Sequence, residues 1–227
     1  MKRGLRDFGV ETESAESPPF LASGLDTPES QAIVKFLGSD KNRRSRSVST
    51  MKIIEEEGCH WAVSYRRNRR PRIVQDGDII FLGRLTRDPK DIRIFGRATA
   101  MAYKEGRDDA TEANIDRRGW RSDFPHFARV YNAEFVDGPI ENGVSLYELM
   151  DELETDSYEV TQENRDSGTG NTSARMAIRR QTQMRLSLEG YSWLRERLEE
   201  AFDKHGKVPR TALERLVWPD ASGNSTL

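Results

Sequence analysis

The sequence predicts an α+β fold in which a small mixed β-barrel is flanked by short helices. Several apolar, strand-like segments lie far apart along the chain, and helical patterns are few. The turn Asp76-Gly77-Asp78 leads directly into the apolar segment Ile79–Leu82, as expected for a central strand. Strands and helices do not alternate regularly, which argues against a doubly wound parallel sheet.

The N-terminal extension is predicted to be partly disordered. Residues 1–26 are rich in Ser, Glu, Pro and Gly and show no periodicity, so we predict a mobile arm there. Thr27 and Pro28 resemble an N-cap and a first helical residue, and they predict a short helix over Glu29–Leu37. Residues 1–50 are therefore predicted to form a mobile extension with one short helix.

The barrel strands are predicted from alternating or continuous apolar segments with many Val, Ile and aromatic residues. They are His60–Tyr65, Ile79–Leu85, Ile92–Tyr103 and Phe127–Val136. The second and third are predicted to form a hairpin, with Gly96 at a β-bulge.

Helical patterns follow the strands. Ser145 and Glu148 have the spacing of a capping box, which predicts a helix over Leu146–Leu153. The polar segment Thr155–Thr172 contains Ser-Gly-Thr-Gly and predicts a flexible loop. Glu189–Lys204 has an apolar stripe that predicts an amphipathic helix.

These elements place the domain at residues 51–205, and residues 206–227 are predicted to form a C-terminal helix and tail.

Composition excludes several classes of site. The single cysteine, Cys59, excludes an intramolecular disulfide and a zinc site with several Cys ligands, and it is predicted to be a small buried hydrophobe. The carboxylates of Asp108-Asp109 and Asp151-Glu152 are predicted to be solvated surface charge. We expect no metal, no cofactor, no membrane-spanning segment and a cytoplasmic location.

The net charge of −2 conceals two zones of opposite sign. Residues 60–104 contain eleven Lys or Arg and four Asp or Glu, whereas residues 141–163, the acidic segment, contain eight acids and no Lys or Arg. Such asymmetry indicates a polyanionic partner on one face.

The strongest signal is the segment RRNRRPR, residues 66–72, which we call the arginine loop. Guanidinium groups bind phosphate in a bidentate manner, so its arginines are candidate phosphate ligands. Further candidates lie in later basic clusters. The full set is Arg66, Arg67, Arg69, Arg70, Arg72, Arg121, Arg179 and Arg180.

Aromatic residues accompany these arginines. Trp61 and Tyr65 precede the arginine loop, and Trp120 and Phe124 lie beside Arg121. Aromatic side chains next to arginines can stack on a base while its phosphates are held. Core packing is the alternative for each of them.

These residues resemble the EVE domain of the PUA-like superfamily, which includes the YTH and ASCH domains. The resemblance spans about residues 52–204 and rests on pieces that occur in the family's order. They are HWAVSYRRN (60–68), QDGDIIFLG (75–83), IRIFGRATA (92–100), WRSDFPHFARVYNAEFV (120–136), GVSLYELMDEL (143–153) and RQTQMRLSLEGYSWL (180–194).

The resemblance implies a PUA-like barrel that binds DNA or RNA and holds a modified base in an aromatic pocket, and whether an effector nuclease is a further partner stays open. By position, Trp61 and Ser64 would lie at the pocket floor or edge, and Arg66 and Asn68 would face the base or its phosphate. Trp120 and Phe124 would be walls, so the predicted base-binding set is Trp61, Ser64, Tyr65, Asn68, Trp120 and Phe124.

Two other functions stay open at this point. One is an enzyme that processes nucleic acid, and it is suggested by acids near the basic face such as Asp76 and Asp78, although these are more simply turn formers. The other is a protein-interaction module whose basic face meets an acidic partner or the chain's own acidic segment.

Overall fold

One mixed β-sheet organises the computed structural model, which describes residues 31–37, 48–86, 90–112, 122–179 and 181–216. Its strands in chain order are β1 (Ala32–Phe36), β2 (Ala62–Tyr65), β3 (Ile79–Leu85), β4 (Ile92–Ala100), β5 (His126–Phe135), β6 (Val144–Ser145) and β7 (Gln183–Arg185). The sheet order is β2-β5-β4-β3-β1-β7, and β6 pairs with β4. The predicted α+β class is confirmed.

The sheet curls into a half-barrel. Three strands separate β1 from β2 in the sheet order, which would place them roughly 19 Å apart in a flat sheet. Yet Nζ of Lys35 on β1 lies 4.5 Å from the ring centroid of Tyr65 on β2. The two strands therefore approach each other across the concave face.

The strands expected in the barrel are confirmed, and β3 and β4 form the expected hairpin. Leu82 pairs with Gly96 and the next residue, Gly83, pairs with Ile94. Phe95 is thus an extra residue on β4, so the bulge lies directly beside Gly96.

The predicted helix over Glu29–Leu37 is wrong for its described part, because residues 32–36 form β1. This strand pairs with β3 in parallel and with β7 in antiparallel orientation. Ile33 and Val34 are both fully buried although they point to opposite faces. A strand buried on both faces has a continuous apolar sequence, which cannot be distinguished by pattern from a short buried helix. Thr27 and Pro28 lie outside the described residues.

The turn before β3 is confirmed. Gly77 has φ of +90°, a conformation that favours glycine, and its N–H donates to the carbonyl of Ala100 at 3.0 Å. The buried carboxylate of Asp78 accepts hydrogen bonds from the amides of Gln31 and Gln75, both at 2.9 Å. Asp78 thereby ties the start of β1 to the start of β3.

Helices cover both faces of the sheet. They are α1 (Thr50–Glu57), α2 (Leu146–Glu152), α3 (Glu159–Ser167), α4 (Ala174–Ala177), α5 (Leu188–His205) and α6 (Arg210–Glu214). The predicted cap of α2 is confirmed, because the Ser145 hydroxyl accepts a hydrogen bond from the Glu148 amide at 3.2 Å. The amphipathic helix α5 is confirmed as well.

The prediction of a flexible loop over Thr155–Thr172 is wrong, because α3 occupies half of that segment. The side chain of Tyr158 is fully buried and anchors the start of this helix in the core. The Thr161 hydroxyl donates to the carbonyls of Thr155 and Tyr158, at 2.6 and 2.8 Å. The glycines of Ser-Gly-Thr-Gly end the helix rather than form a long loop, since Gly168 is its left-handed C-cap.

The core has two clusters, one on each face of the sheet. On the concave face, Ile33, Ile80 and Val63 pack with Ile53 and Ile54 of α1. On the convex face, residues of β1, β3 and β4 pack against apolar side chains of α2 and α5. Cys59 is fully buried in the concave cluster, as predicted. No helix within the described ranges is both long and apolar enough to cross a bilayer.

Candidate nucleic-acid interface

The arginine loop leaves the end of β2 and turns back along the rim of the half-barrel. The Arg69 amide donates to the carbonyl of Arg66 at 2.8 Å, which closes a turn with Arg67 and Asn68 at its tip. Pro71 is buried, and its carbonyl accepts from Val74 at 3.1 Å. The backbone is thus anchored, whereas Arg67, Arg69, Arg70 and Arg72 are exposed.

The first half of the loop contacts an aromatic ring, a backbone carbonyl and a side-chain amide. The guanidinium carbon of Arg66 lies 5.8 Å from the ring centroid of Phe124. Nε of Arg67 donates to the carbonyl of Ser122 at 3.2 Å. Nη1 of Arg69 lies 3.4 Å from Oε1 of Gln181, a contact that crosses from the β2 end of the sheet to the β7 end.

The second half of the loop meets one carboxylate. Nη1 of Arg70 lies 2.6 Å from Oε1 of Glu105, and Nη2 of Arg72 lies 3.2 Å from Oε2 of the same side chain. Arg70 and Arg72 flank the buried Pro71, whose carbonyl closes a turn with the Val74 amide. The two guanidinium groups therefore converge on a single anion.

The loop that carries Glu105, residues 101–110, is held by a buried aspartate. The side chain of Asp108 is fully buried and accepts from Nε and Nη2 of Arg107, at 2.8 and 2.6 Å. It also accepts from Nε of Arg129 at 2.8 Å and from the Lys104 amide at 2.7 Å. Burial favours a higher pKa for Asp108, but the hydrogen bonds from Arg107, Lys104 and Arg129 hold its pKa below the usual value. The expectation that Asp108 is solvated is therefore wrong.

Asp109 connects this loop to the arginine loop. Its Oδ1 accepts from the Tyr103 hydroxyl at 2.7 Å and lies 2.6 Å from Nδ1 of His126. Nε2 of the same histidine is 3.1 Å from the carbonyl oxygen of Arg67. Burial favours a higher pKa for Asp109, but hydrogen bonds from the Gly106 amide, His126 and Tyr103 hold its pKa below the usual value.

The structure separates the predicted base-binding residues into different places. β2 runs antiparallel to β5, with Ala62 opposite Arg129 and Tyr65 opposite His126. Trp61, which is 47% exposed, precedes β2, whereas Arg66 follows it and approaches Phe124. Five residues of extended chain span roughly 16 Å. Trp61 therefore does not share a pocket with Phe124.

Ser64 and Tyr65 lie on opposite faces of the sheet. Tyr65 is buried in the concave cluster, whereas Ser64 is paired with Phe127 and points to the other face. Asn68 is exposed at the tip of the arginine loop. Of the predicted base-binding residues that the structure describes, Asn68 and Phe124 are the ones that lie with the exposed arginines.

The predicted residues Trp120, Arg121 and Arg180 lie outside the described residues. Arg179 is exposed and stands two residues before Gln181, which contacts Arg69. Arg175, four residues before Arg179, meets the acidic segment instead, because it forms a two-point ion pair with Asp151 at 2.8 and 2.6 Å.

Sequence reasoning missed the residues that hold the arginine loop in place. They are Glu105, Asp108, Asp109, Ser122, His126 and Gln181. They come from three segments that are distant in sequence. The pairing of β5 with both β2 and β4 brings the first two segments to the arginine loop, and the curl of the sheet brings Gln181 to it. The one local signal was the pair Asp108-Asp109 beside basic residues, since a carboxylate flanked by arginines can be buried when it is fully paired.

The described residues include no group of three or more His, Cys, Asp or Glu side chains placed to hold a metal ion. Comparison with models of known protein families gives no match, and comparison with curated proteins gives no significant match either.

Proposed function

We propose that this chain is a nucleic-acid-binding module whose contact surface is the arginine loop. One observation carries the proposal: four exposed arginines project from a backbone anchored by the buried Pro71 at the rim of a rigid sheet. Arginines that only support a fold are usually paired with carboxylates, as Arg107 and Arg129 are with Asp108. In the described structure, Arg67 and Arg69 instead contact neutral oxygens.

This arrangement suits the phosphate backbone of a nucleic acid. Phosphate contacts contribute most of the salt-dependent affinity and fix the position of the protein on the strand. Arg66 and Phe124 add an aromatic face beside the phosphate ligands, on which a base can stack at about 1–3 kcal/mol. Arg179 would extend the surface past Gln181.

The finer part of the proposal is that the module reads a modified base. It rests on Phe124 and on the resemblance to the EVE domain, which also implies Trp120 as a second aromatic wall. A flipped base costs a few kcal/mol of unstacking, and the arginine contacts would offset that cost.

A fluorescence-polarisation titration tests both parts. The probes are one duplex in unmodified, cytosine-methylated, hydroxymethylated and adenine-methylated forms, its single strand, and an RNA of the same sequence, each at two salt concentrations. The variant Arg67→Ala/Arg69→Ala removes two proposed phosphate ligands, and Arg195→Ala on α5 is the control. We expect the double variant to weaken binding to every probe and to lower the salt slope by about 0.7–0.9 for each phosphate that is no longer neutralised.

Equal binding by the double variant and the control would contradict the proposed surface. A tenfold preference for one modified probe, about 1.4 kcal/mol, that is lost in Phe124→Leu would support base reading. Equal affinity for modified and unmodified probes would remove that part and leave the phosphate-binding part intact. Weak, flat binding to every probe would overturn the whole proposal and favour an acidic protein partner.

A further inference from the structure

Arg70 and Arg72 converge on one carboxylate in a way that ordinary surface ion pairs do not. Each guanidinium contacts a different oxygen of Glu105, at 2.6 and 3.2 Å. Two fixed cations that share one small anion form a cleft for a tetrahedral or planar oxyanion. A phosphate presents the same pair of oxygens and carries the charge that arginine prefers.

The cleft is built by the backbone rather than by mobile side chains alone. The buried Pro71 anchors the backbone between the two arginines, and its carbonyl closes the turn that contains Arg72. On the facing loop, the residues that flank Glu105 are fixed by aspartates: the Lys104 amide donates to Asp108 at 2.7 Å, and the Gly106 amide donates to Asp109 at 2.8 Å. Glu105 is thus presented to the arginines by a supported backbone.

The contact itself is open to water. The side chains of Arg70, Arg72 and Glu105 are 39%, 65% and 56% exposed. Ion pairs with such exposure contribute about 0–1 kcal/mol each, because solvent screens them. A phosphate that forms charge-assisted hydrogen bonds to both arginines can therefore displace the carboxylate.

We propose that Arg70 and Arg72 form a phosphate subsite that Glu105 occupies in the free protein, so that binding of a nucleic-acid phosphodiester requires Glu105 to leave. This inference rests on the proposed function and adds that Glu105 competes with the phosphodiester for the two arginines. Glu105 lowers the affinity of the arginine loop for nucleic acid, because the phosphate must replace a carboxylate that is already bound. The subsite also favours nucleic-acid strands whose backbone can place one phosphate beside Pro71.

The test compares Glu105→Gln with Glu112→Gln, which neutralises an exposed acid farther along the same segment. The probe is a labelled single-stranded oligonucleotide of about ten nucleotides in low salt. We expect Glu105→Gln to bind about three- to tenfold more tightly than the wild-type protein, because the variant keeps the side-chain size and loses the competing charge. We expect Glu112→Gln to gain much less.

A double-mutant cycle assigns the effect to the cleft. In the Arg70→Ala/Arg72→Ala background, Glu105→Gln should change the affinity by less than twofold. An equal gain in that background would mean that Glu105 repels the strand in general, and would overturn the subsite. No gain in the wild-type background would overturn it too, while the proposed function would stand if Arg67→Ala/Arg69→Ala still weakened binding. If neither the wild-type protein nor Glu105→Gln binds the probe, both proposals fall.

Discussion

The buried carboxylate of Asp108 allows a quantitative prediction about the fold. In Asp108→Asn, the side chain keeps its size but replaces one acceptor oxygen by an NH₂ group. Asp108 accepts four hydrogen bonds, two at each oxygen, so about half of the donors from Arg107, Arg129 and Lys104 would face another donor. A hydrogen bond to a charged group contributes about 1.5–3 kcal/mol.

The loss is smaller than the sum of these bonds. The side chains of Arg107 and Arg129 are 32% and 46% exposed, so water can solvate them in the variant. We therefore expect the free energy of unfolding to fall by about 2–4 kcal/mol. With a urea m-value of roughly 2 kcal/mol/M, the midpoint of unfolding would fall by about 1–2 M.

Urea unfolding followed by tryptophan fluorescence measures this shift. The matched control is Asp203→Asn, which makes the same chemical change at an exposed position of α5 and should move the midpoint by less than about 0.3 M. Equal midpoints for Asp108→Asn and Asp203→Asn would refute the view that Asp108 supports the 101–110 loop.

Three further predictions concern the core. In Gly143→Ala, the added Cβ would lie 2.5 Å from the carbonyl oxygen of Ile94. We therefore expect the free energy of unfolding in urea to fall by about 1–3 kcal/mol. An unchanged midpoint of unfolding would contradict this contact. The buried Tyr158 hydroxyl has no hydrogen-bond partner among the described residues, so Tyr158→Phe should leave thermal stability unchanged or raise it, whereas a drop of several degrees would reveal a partner. Burial raises the pKa of the Cys59 thiol, so a thiol reagent should modify it in urea but not in the native protein, and rapid native labelling would contradict its burial.

The sequence predicted the strands of the sheet well because their patterns are local. The β3–β4 hairpin follows from two apolar segments separated by a turn, and the bulge follows from Gly96. The strand β1 was predicted as a helix because four of its five residues are buried and they cover both faces, which removes the alternation that identifies a strand. The helix α3 was missed because its stability comes from the burial of Tyr158 and from hydrogen bonds of Thr161, not from an apolar stripe.

The exposed arginines of the candidate site could be predicted from the sequence, whereas the residues that contact them could not. A run of arginines that leads into a turn and an apolar strand predicts that charge is concentrated at a fixed point of the chain. It does not show which acid lies opposite the arginines, because Glu105 is 35 residues from Arg70 in sequence. The pairing of β4 with β3 and β5 brings the two residues together. Likewise, Trp61 and Phe124 are both aromatic neighbours of arginines in sequence, but the direction of β2 puts them at opposite ends of a strand.

Asp108 and Asp109 link the stability of the fold to the proposed site, since together they hold both loops that meet at Glu105. The pKa of each carboxyl is below the usual value in the folded protein, whereas the unfolded chain has an aspartate pKa of about 3.9. The unfolded state therefore binds more protons in acid, so their stabilisation is complete well above that pKa and declines as the pH falls toward the folded-state pKa values. Acid should consequently destabilise the wild-type protein more steeply below about pH 5 than Asp108→Asn, in which one of the two groups no longer titrates. Parallel acid profiles for the two proteins would mean that other carboxylates dominate, and the 101–110 loop would then be a passive neighbour of the arginine loop rather than its support.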